Sequence, residues 1–178
     1  MAIVMLGEYS TTEPTALTAT GQYGRLRIGS DRSLVVNHGA ITKTLAASAA
    51  RTVTAGTNLT AVTIPLGAIR ATILLDITAS ATDATDVLDA YIDVSPDGGT
   101  TYANAVHFTQ QAGNGAAKKM IAVLDPANPG TAVFDVTSDC ASGVVRPALW
   151  GTHMRLRYVV VDADANASHT FSSVVRFS

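Results

Sequence analysis

From Ala68 to Thr109 the chain reads AIRATILLDITASATDATDVLDAYIDVSPDGGTTYANAVHFT. In its first part Ile73, Leu75 and Ile77 alternate with Thr72, Leu74, Asp76 and Thr78. A period of two belongs to a strand with one face turned to a core. Tyr91 and Asp93 alternate with Ile92 and Val94 in the same way. Pro96-Asp97-Gly98-Gly99 then supplies a turn, because proline presets a negative φ and glycine accepts a positive one. A further apolar run ends in Val106-His107-Phe108-Thr109. The stretch therefore predicts three consecutive strands, separated by an acidic gap at Asp83–Asp89 and a tight turn at Asp97.

The same period runs through the rest of the chain. Met154, Leu156, Tyr158 and Val160 alternate with Arg155, Arg157, Val159 and Val161. Runs bounded by turn residues predict strands at Arg25–Ile28, Leu34–Asn37, Arg51–Ala55, Leu59–Ile64, Ile69–Ala79, Val87–Val94, Tyr102–Thr109, Met120–Leu124, Ala132–Thr137, Met154–Val161 and Thr170–Phe177. Loops are expected at Asp125–Gly130 and Ser138–Ala148. The best helical candidate is Leu45–Arg51, which is Ala-rich but short. Short strands without interleaved helices indicate an all-β protein, an antiparallel β-sandwich or jelly roll with an N-terminal arm or hairpin. Residues 1–48, Thr-rich and holding the small hairpin, are expected to form the arm, and residues 49–178 the sandwich.

Composition narrows the function classes. The 178 residues are 47% hydrophobic and only 15% charged, against roughly 25% charged in an ordinary soluble domain. Mean hydropathy is +0.25. A surface so poor in charge points to association with other copies or partners. The net charge of −2 and pI near 6.0 argue against a nucleic-acid binder. No apolar run approaches the roughly 18 residues of a membrane helix, because acidic residues interrupt the best candidate. Met1–Leu6 is apolar but lacks the basic flank and length of a signal peptide. A single cysteine, Cys140, allows no disulfide within the chain.

The chemical motifs are weak. Gly113-Asn114-Gly115 starts like a dinucleotide fingerprint but lacks the third glycine and a βαβ setting, so it reads as a flexible loop. Asp162-Ala163-Asp164-Ala165-Asn166 spaces oxygens like a calcium loop, yet Ala167 and Ser173 stand where glycine and glutamate are needed. Asp83, Asp86, Asp89 and Asp93 read as solvated carboxylates at strand ends. His38, His107, His153 and His169 lack zinc spacing. Cys140 with His153 downstream is the only thiol-nucleophile candidate, and a lone cysteine is more often a small buried hydrophobe. Trp150, Tyr23, Tyr91 and Tyr102 could stack on a sugar, but with aromatics only 6% of residues most are expected to be core or interface anchors. Arg155 and Arg157 share one strand face, where they could meet carboxylates of another subunit or be solvated. Tyr9, Tyr23, Arg25, Arg27, Trp150, Arg155 and Arg157 are the candidate interface residues. No cofactor and no metal is expected.

Four segments carry a resemblance: Ile73-Leu-Leu-Asp-Ile-Thr-Ala, Asp93-Val-Ser-Pro-Asp-Gly-Gly-Thr-Thr-Tyr, Ala105-Val-His-Phe-Thr-Gln and Met154-Arg-Leu-Arg-Tyr-Val-Val. Together with the lead-in from Thr20 to Val36, they resemble small virion proteins of tailed bacteriophages, capsid decoration or cement proteins among them. The resemblance implies a non-enzymatic structural protein located in the virion, with the capsid surface favoured, made in the host cytoplasm. It implies a homo-oligomer, trimer or dimer, that binds the major capsid protein or other virion proteins. A neck, tail or baseplate component and a carbohydrate- or receptor-binding module are the alternatives.

Overall fold

The computed structural model describes residues 24–28, 34–38, 40–52, 54–128, 135–161 and 167–178, with side chains described from residue 40 onward apart from 54 and 55. The chain divides into two units, Met1–Gly39 and Ala40–Ser178. In the first, β1 (Gly24–Ile28) and β2 (Leu34–His38) pair antiparallel as the expected hairpin, with Arg25 opposite Asn37 and Arg27 opposite Val35.

The second unit is a two-sheet sandwich. Its strands are β3 (Ile41–Thr52), β4 (Thr54–Asn58), β5 (Val62–Thr63), β6 (Ala71–Ala79), β7 (Val87–Ser95), β8 (Ala103–His107), β9 (Gln111–Ala112), β10 (Lys118–Leu124), β11 (His153–Val161) and β12 (Ser168–Phe177). One sheet runs β10-β6-β12-β3; the other runs β4-β11-β7-β8, with β5 also on β11 and β9 also on β7. All pairings are antiparallel. Taking β4 with β5 and β8 with β9 as two interrupted strands leaves eight strand positions. Their order is 6-3-8-1 in one sheet and 2-7-4-5 in the other, which is the jelly roll, two Greek keys wound across two sheets.

The alternation seen in the sequence fills the space between the sheets. Ile73, Leu75 and Ile77 of β6 and Phe171, Val175 and Phe177 of β12 face Leu88, Ile92 and Val94 of β7 and Met154, Leu156 and Val160 of β11. These side chains are almost completely buried, so apolar burial between the layers supplies the main stabilisation.

Several sequence expectations need correction. Leu45–Arg51 is not helical; it lies inside β3, paired to β12 from Ile41 opposite Phe177 to Thr52 opposite Ser168. Cross-strand pairing along a whole neighbour overrides the modest helix preference of alanine. The register shifts between Phe171 and Ser173, and the Arg51 side chain reaches back to the backbone there. Its guanidinium donates to the carbonyls of Ala47 (2.8 Å), Ala49 (3.0 Å) and Phe171 (2.7 Å) and lies 4.1 Å from the Phe171 ring centre. β3 as a whole belongs to the second unit, Ala40–Ser178. Asp135–Thr137 is a turn rather than strand, with Asp135 Oδ1 accepting from the Thr137 amide at 2.8 Å. The preceding residues Ala132 to Phe134 lie outside the described residues.

Gly113-Asn114-Gly115 is fixed rather than flexible. The Gly113 amide donates to Asp86 O at 2.6 Å and the Asn114 amide to Ala81 O at 2.5 Å. Asn114 takes a φ of 54°. The turn at Asp97 forms as expected: Gly98 and Gly99 have φ of 78° and 94°. Asp97 Oδ1 accepts from the Thr101 amide (2.7 Å) and the Ser95 hydroxyl (2.8 Å). These bonds hold its carboxyl down at about 2.

His169 of β12 is fully buried on the core side, and neither ring nitrogen has a hydrogen-bond partner among the described residues. Burial lowers its pKa from the ordinary 6.5. The folded chain therefore holds this ring neutral under conditions in which the unfolded chain protonates it. The resulting stability is complete above the unfolded value and declines as pH falls below it. Chemical denaturation across about pH 7 to pH 5 is expected to show a shallower loss of stability in His169→Leu than in the wild type. Equal slopes in the two proteins would remove His169 as the source.

Candidate functional site

The strands of the second sheet alternate, so the face away from the core carries its own set of residues. On β7 these are Asp89, Tyr91, Asp93 and Ser95. On β11 they are His153, Arg155, Arg157 and Val159, and on β8 they include Asn104 and His107. The register sets them side by side: Ser95 opposite His153, Asp93 opposite both Arg155 and Asn104, Tyr91 opposite both Arg157 and His107. Such cross-strand neighbours interact directly.

Asp93 is the centre of this face. Its Oδ2 receives Arg155 Nε at 3.4 Å and Arg157 Nε at 3.2 Å, and its Oδ1 receives Asn104 Nδ2 at 3.2 Å. Each guanidinium also stacks on a tyrosine. Arg155 sits 3.7 Å from the Tyr102 ring centre and Arg157 4.0 Å from that of Tyr91, an arrangement in which the cation meets the negative face of the ring. Arg157 Nη2 reaches Asp139 Oδ1 at 2.5 Å.

The irregular segment 138–148, expected as a loop, crosses this face and is fastened to it. The Cys140 amide donates to Asn104 Oδ1 (2.8 Å), and Arg146 Nη1 donates to the carbonyls of Asn104 and Ser138 (both 2.9 Å). Val145 forms a single bridge with Val106. His107 lies beneath it: Nδ1 is 2.9 Å from Cys140 O, Nε2 is 2.7 Å from Asp89 Oδ1, and the ring stacks 4.2 Å from Tyr91. Gln110 Nε2 donates to the other Asp89 oxygen at 3.1 Å.

The strand-end carboxylates thus separate into different roles. Asp83 is exposed and closes a local turn, its Oδ1 accepting from the amide and hydroxyl of Thr85, both at 2.8 Å. Asp86, Asp89 and Asp93 are buried instead of solvated. Strand alternation alone did not mark Asp89 and Asp93, because the covering segment that buries them comes from far along the chain. The one available signal was that both lie on the face of β7 opposite the apolar residues, in phase with Arg155 and Arg157.

The remaining candidates fall elsewhere. Trp150 is half-buried, packs against the core and meets Phe177 edge-on at 6.5 Å. Tyr91 is buried under Arg157, so its ring is covered by its own chain. Tyr9 and Tyr23 lie outside the described residues, and Arg25 and Arg27 are described by their backbone alone. The carboxylate partners of Arg155 and Arg157 belong to this same chain. Cys140 is buried, and burial pushes its thiol up, away from the thiolate that a nucleophile requires. His153 Nδ1 instead lies 3.0 Å from the Thr152 hydroxyl. Among the described residues no three His, Cys, Asp or Glu side chains are grouped to hold a metal, and the calcium-like run at Asp162 lies outside them. No described helix is long and apolar enough to cross a membrane.

No family model matches the sequence, and no curated protein matches it. Among solved structures the chain is similar to one described as the structure of infectious bursal disease virus Gx strain, at 13% identity and a TM-score of 0.46 over 87% of this chain. It is also similar to the VP2 subviral particle of infectious bursal disease virus, at 14% identity and a TM-score of 0.44 over 86% of this chain. The chain spans 37% of the length of each of these proteins.

Proposed function

We propose that the chain is a structural protein of a virus particle. In this reading it acts as a homo-oligomer that decorates the capsid of a tailed bacteriophage and stabilises the lattice of the major capsid protein. The strand order carries the reading: eight strand positions ordered 6-3-8-1 and 2-7-4-5 form the jelly roll used by viral capsid domains as well as by lectins and cupins. Fold alone does not choose among these. The interior does, in part. The space between the sheets is filled by Phe171, Phe177, Ile73, Leu75, Met154 and Leu156, which leaves the exterior as the working surface. Arg155 and Arg157 on the outer face are paired within the chain, and only 15% of all residues are charged. That suits contact between protein subunits better than recognition of a charged small molecule. The phage resemblance of the segments around Ile73, Asp93, Ala105 and Met154 supplies the kind of particle.

Added contacts that bind only the assembled lattice stabilise it by mass action. Particles assembled without this chain are therefore expected to open at lower temperature and under milder osmotic shock than complete particles, and adding the purified chain back is expected to restore them. Equal stability of the two, with antibody label confined to the tail, would replace the capsid reading with a neck, tail or baseplate role.

A further inference from the structure

We infer that the β10 edge of the four-stranded sheet, centred on Ile121, is the surface through which two copies of this chain pair about a two-fold axis. The inference rests on the oligomeric part of the function proposed above and names the surface that forms the oligomer. β10 is the edge strand of its sheet, paired to β6 on one side and to nothing on the other among the described residues. An edge strand with no partner on that side among the described residues is a template for another strand.

Its outward side chains are Lys119, Ile121 and Val123, and Ile121 and Val123 are 68% and 42% exposed. The loop leading into β6 adds Leu66 at 91% and Ile69 at 71% exposure. These four are the greater part of the large hydrophobics exposed among the described residues. The register continues the apolar row inward from Ile121 to Leu74 of β6 and Val174 of β12, both half-buried. Apolar surface concentrated in this way marks a contact site, whereas scattered single residues would not.

The identity of the occupant follows from symmetry and charge. Ile121 is the middle residue of Lys118–Leu124. In an antiparallel pair of β10 strands centred there, Ile121 of one copy faces Ile121 of the other, and Lys119 faces Val123. An isologous contact requires such self-complementarity. The charges at the two ends of the strand obey it as well. One end carries Lys119 bound to Asp76 at 2.6 Å, and the other carries Arg70 bound to Asp125 at 2.9 Å. The two-fold axis sets Lys119 of one copy diagonally next to Asp125 of the other, so the row across the junction alternates in charge, Asp76, Lys119, Asp125, Arg70. Lysine on a strand edge ordinarily discourages pairing. Here Lys119 is already neutralised by Asp76, and Lys118 Nζ is drawn to Gln110 O at 3.4 Å.

The test uses the full chain. Sedimentation equilibrium over about a hundredfold concentration range is expected to give twice the 18.4 kDa chain mass for the wild type. Ile121→Asp is expected to return it to the single mass with an unchanged far-ultraviolet dichroism spectrum. Val161→Asp, at an exposed position of the other sheet, should stay at twice the mass. Mild oxidation of Ile121→Cys is expected to trap a covalent pair, which Val144→Cys does not form. An oligomer that survives Ile121→Asp would overturn the surface and leave the oligomeric reading standing. A wild type that is monomeric throughout the range would overturn both.

Discussion

Gly151→Ala is expected to lower stability by about 3 kcal/mol or more. At roughly 2–4 °C per kcal/mol for a chain of this size, the midpoint of thermal unfolding should fall on the order of 6–12 °C. A methyl group at Gly151 would press into the carbonyl oxygen of Ser95, with the carbonyl carbon at 2.5 Å and Pro96 N at 2.9 Å. These are backbone atoms, and they cannot swing away as the tip of a flexible side chain would. They are also anchored where the two strands meet: the Thr152 amide donates to Ser95 O at 2.8 Å, and the Ile64 amide donates to Thr152 O at 2.8 Å. Making room for the methyl group separates the start of β11 from the end of β7 and strains the turn at Asp97. Gly98→Ala is the comparison that isolates the cause. Gly98 has a positive φ of 78° but nothing within 4 Å of an added Cβ, so it should lose only the conformational cost, about 1–2 kcal/mol. Calorimetry of both variants decides the matter, and a Gly151→Ala protein at least as stable as Gly98→Ala would refute the argument.

The need for glycine at 151 was not visible in the sequence, and the reason holds for much of the site. Period-two alternation identifies a strand and divides its residues between two faces, which is why β6, β7, β11 and β12 were legible within a residue or two. It does not reveal what lies on the far face. Asp93 was legible as a strand-end carboxylate and Arg155 and Arg157 as sharing one strand face, but their neutralisation depends on β7 pairing with β11, a contact of residues more than 60 positions apart. The cover supplied by 138–148 was legible as irregular chain and nothing more, since the bonds of Cys140 and Arg146 to Asn104 leave no local pattern. β3 was missed for a related reason. Alanine carries little β preference of its own, and the pairing of that stretch is dictated by β12 at the other end of the chain.

Asp93→Ala provides the second large effect, and it tests whether the outer face is a structural clasp. The Asp93 side chain is 5% exposed, whereas the two arginine side chains it neutralises are each 21% exposed. Removing one partner of a buried pair typically costs 3–5 kcal/mol, because the other charge remains desolvated. The lower end, about 3 kcal/mol, applies here: both guanidiniums keep some water contact and their tyrosine stacks, and Arg157 also keeps Asp139. Asp93→Asn should fall between this variant and the wild type, since the amide oxygen can still accept one arginine without answering its charge. The loss should be local as well as global. Asn104 Nδ2 donates to Asp93 Oδ1 as well as to the Val106 and Ile92 carbonyls, and Asn104 Oδ1 in turn accepts the Cys140 amide. Hydrogen exchange at Cys140 is therefore expected to accelerate more than at Ile64, whose amide is held by Thr152 O on the opposite edge of β11. If Asp93→Ala stays within about 0.5 kcal/mol of the wild type, as an ordinary surface substitution does, the two arginines are solvated and available to a neighbouring subunit. A large loss with selective loosening of 138–148 would instead mean that this face holds the chain to itself, leaving contact with other copies to the edge strand around Ile121.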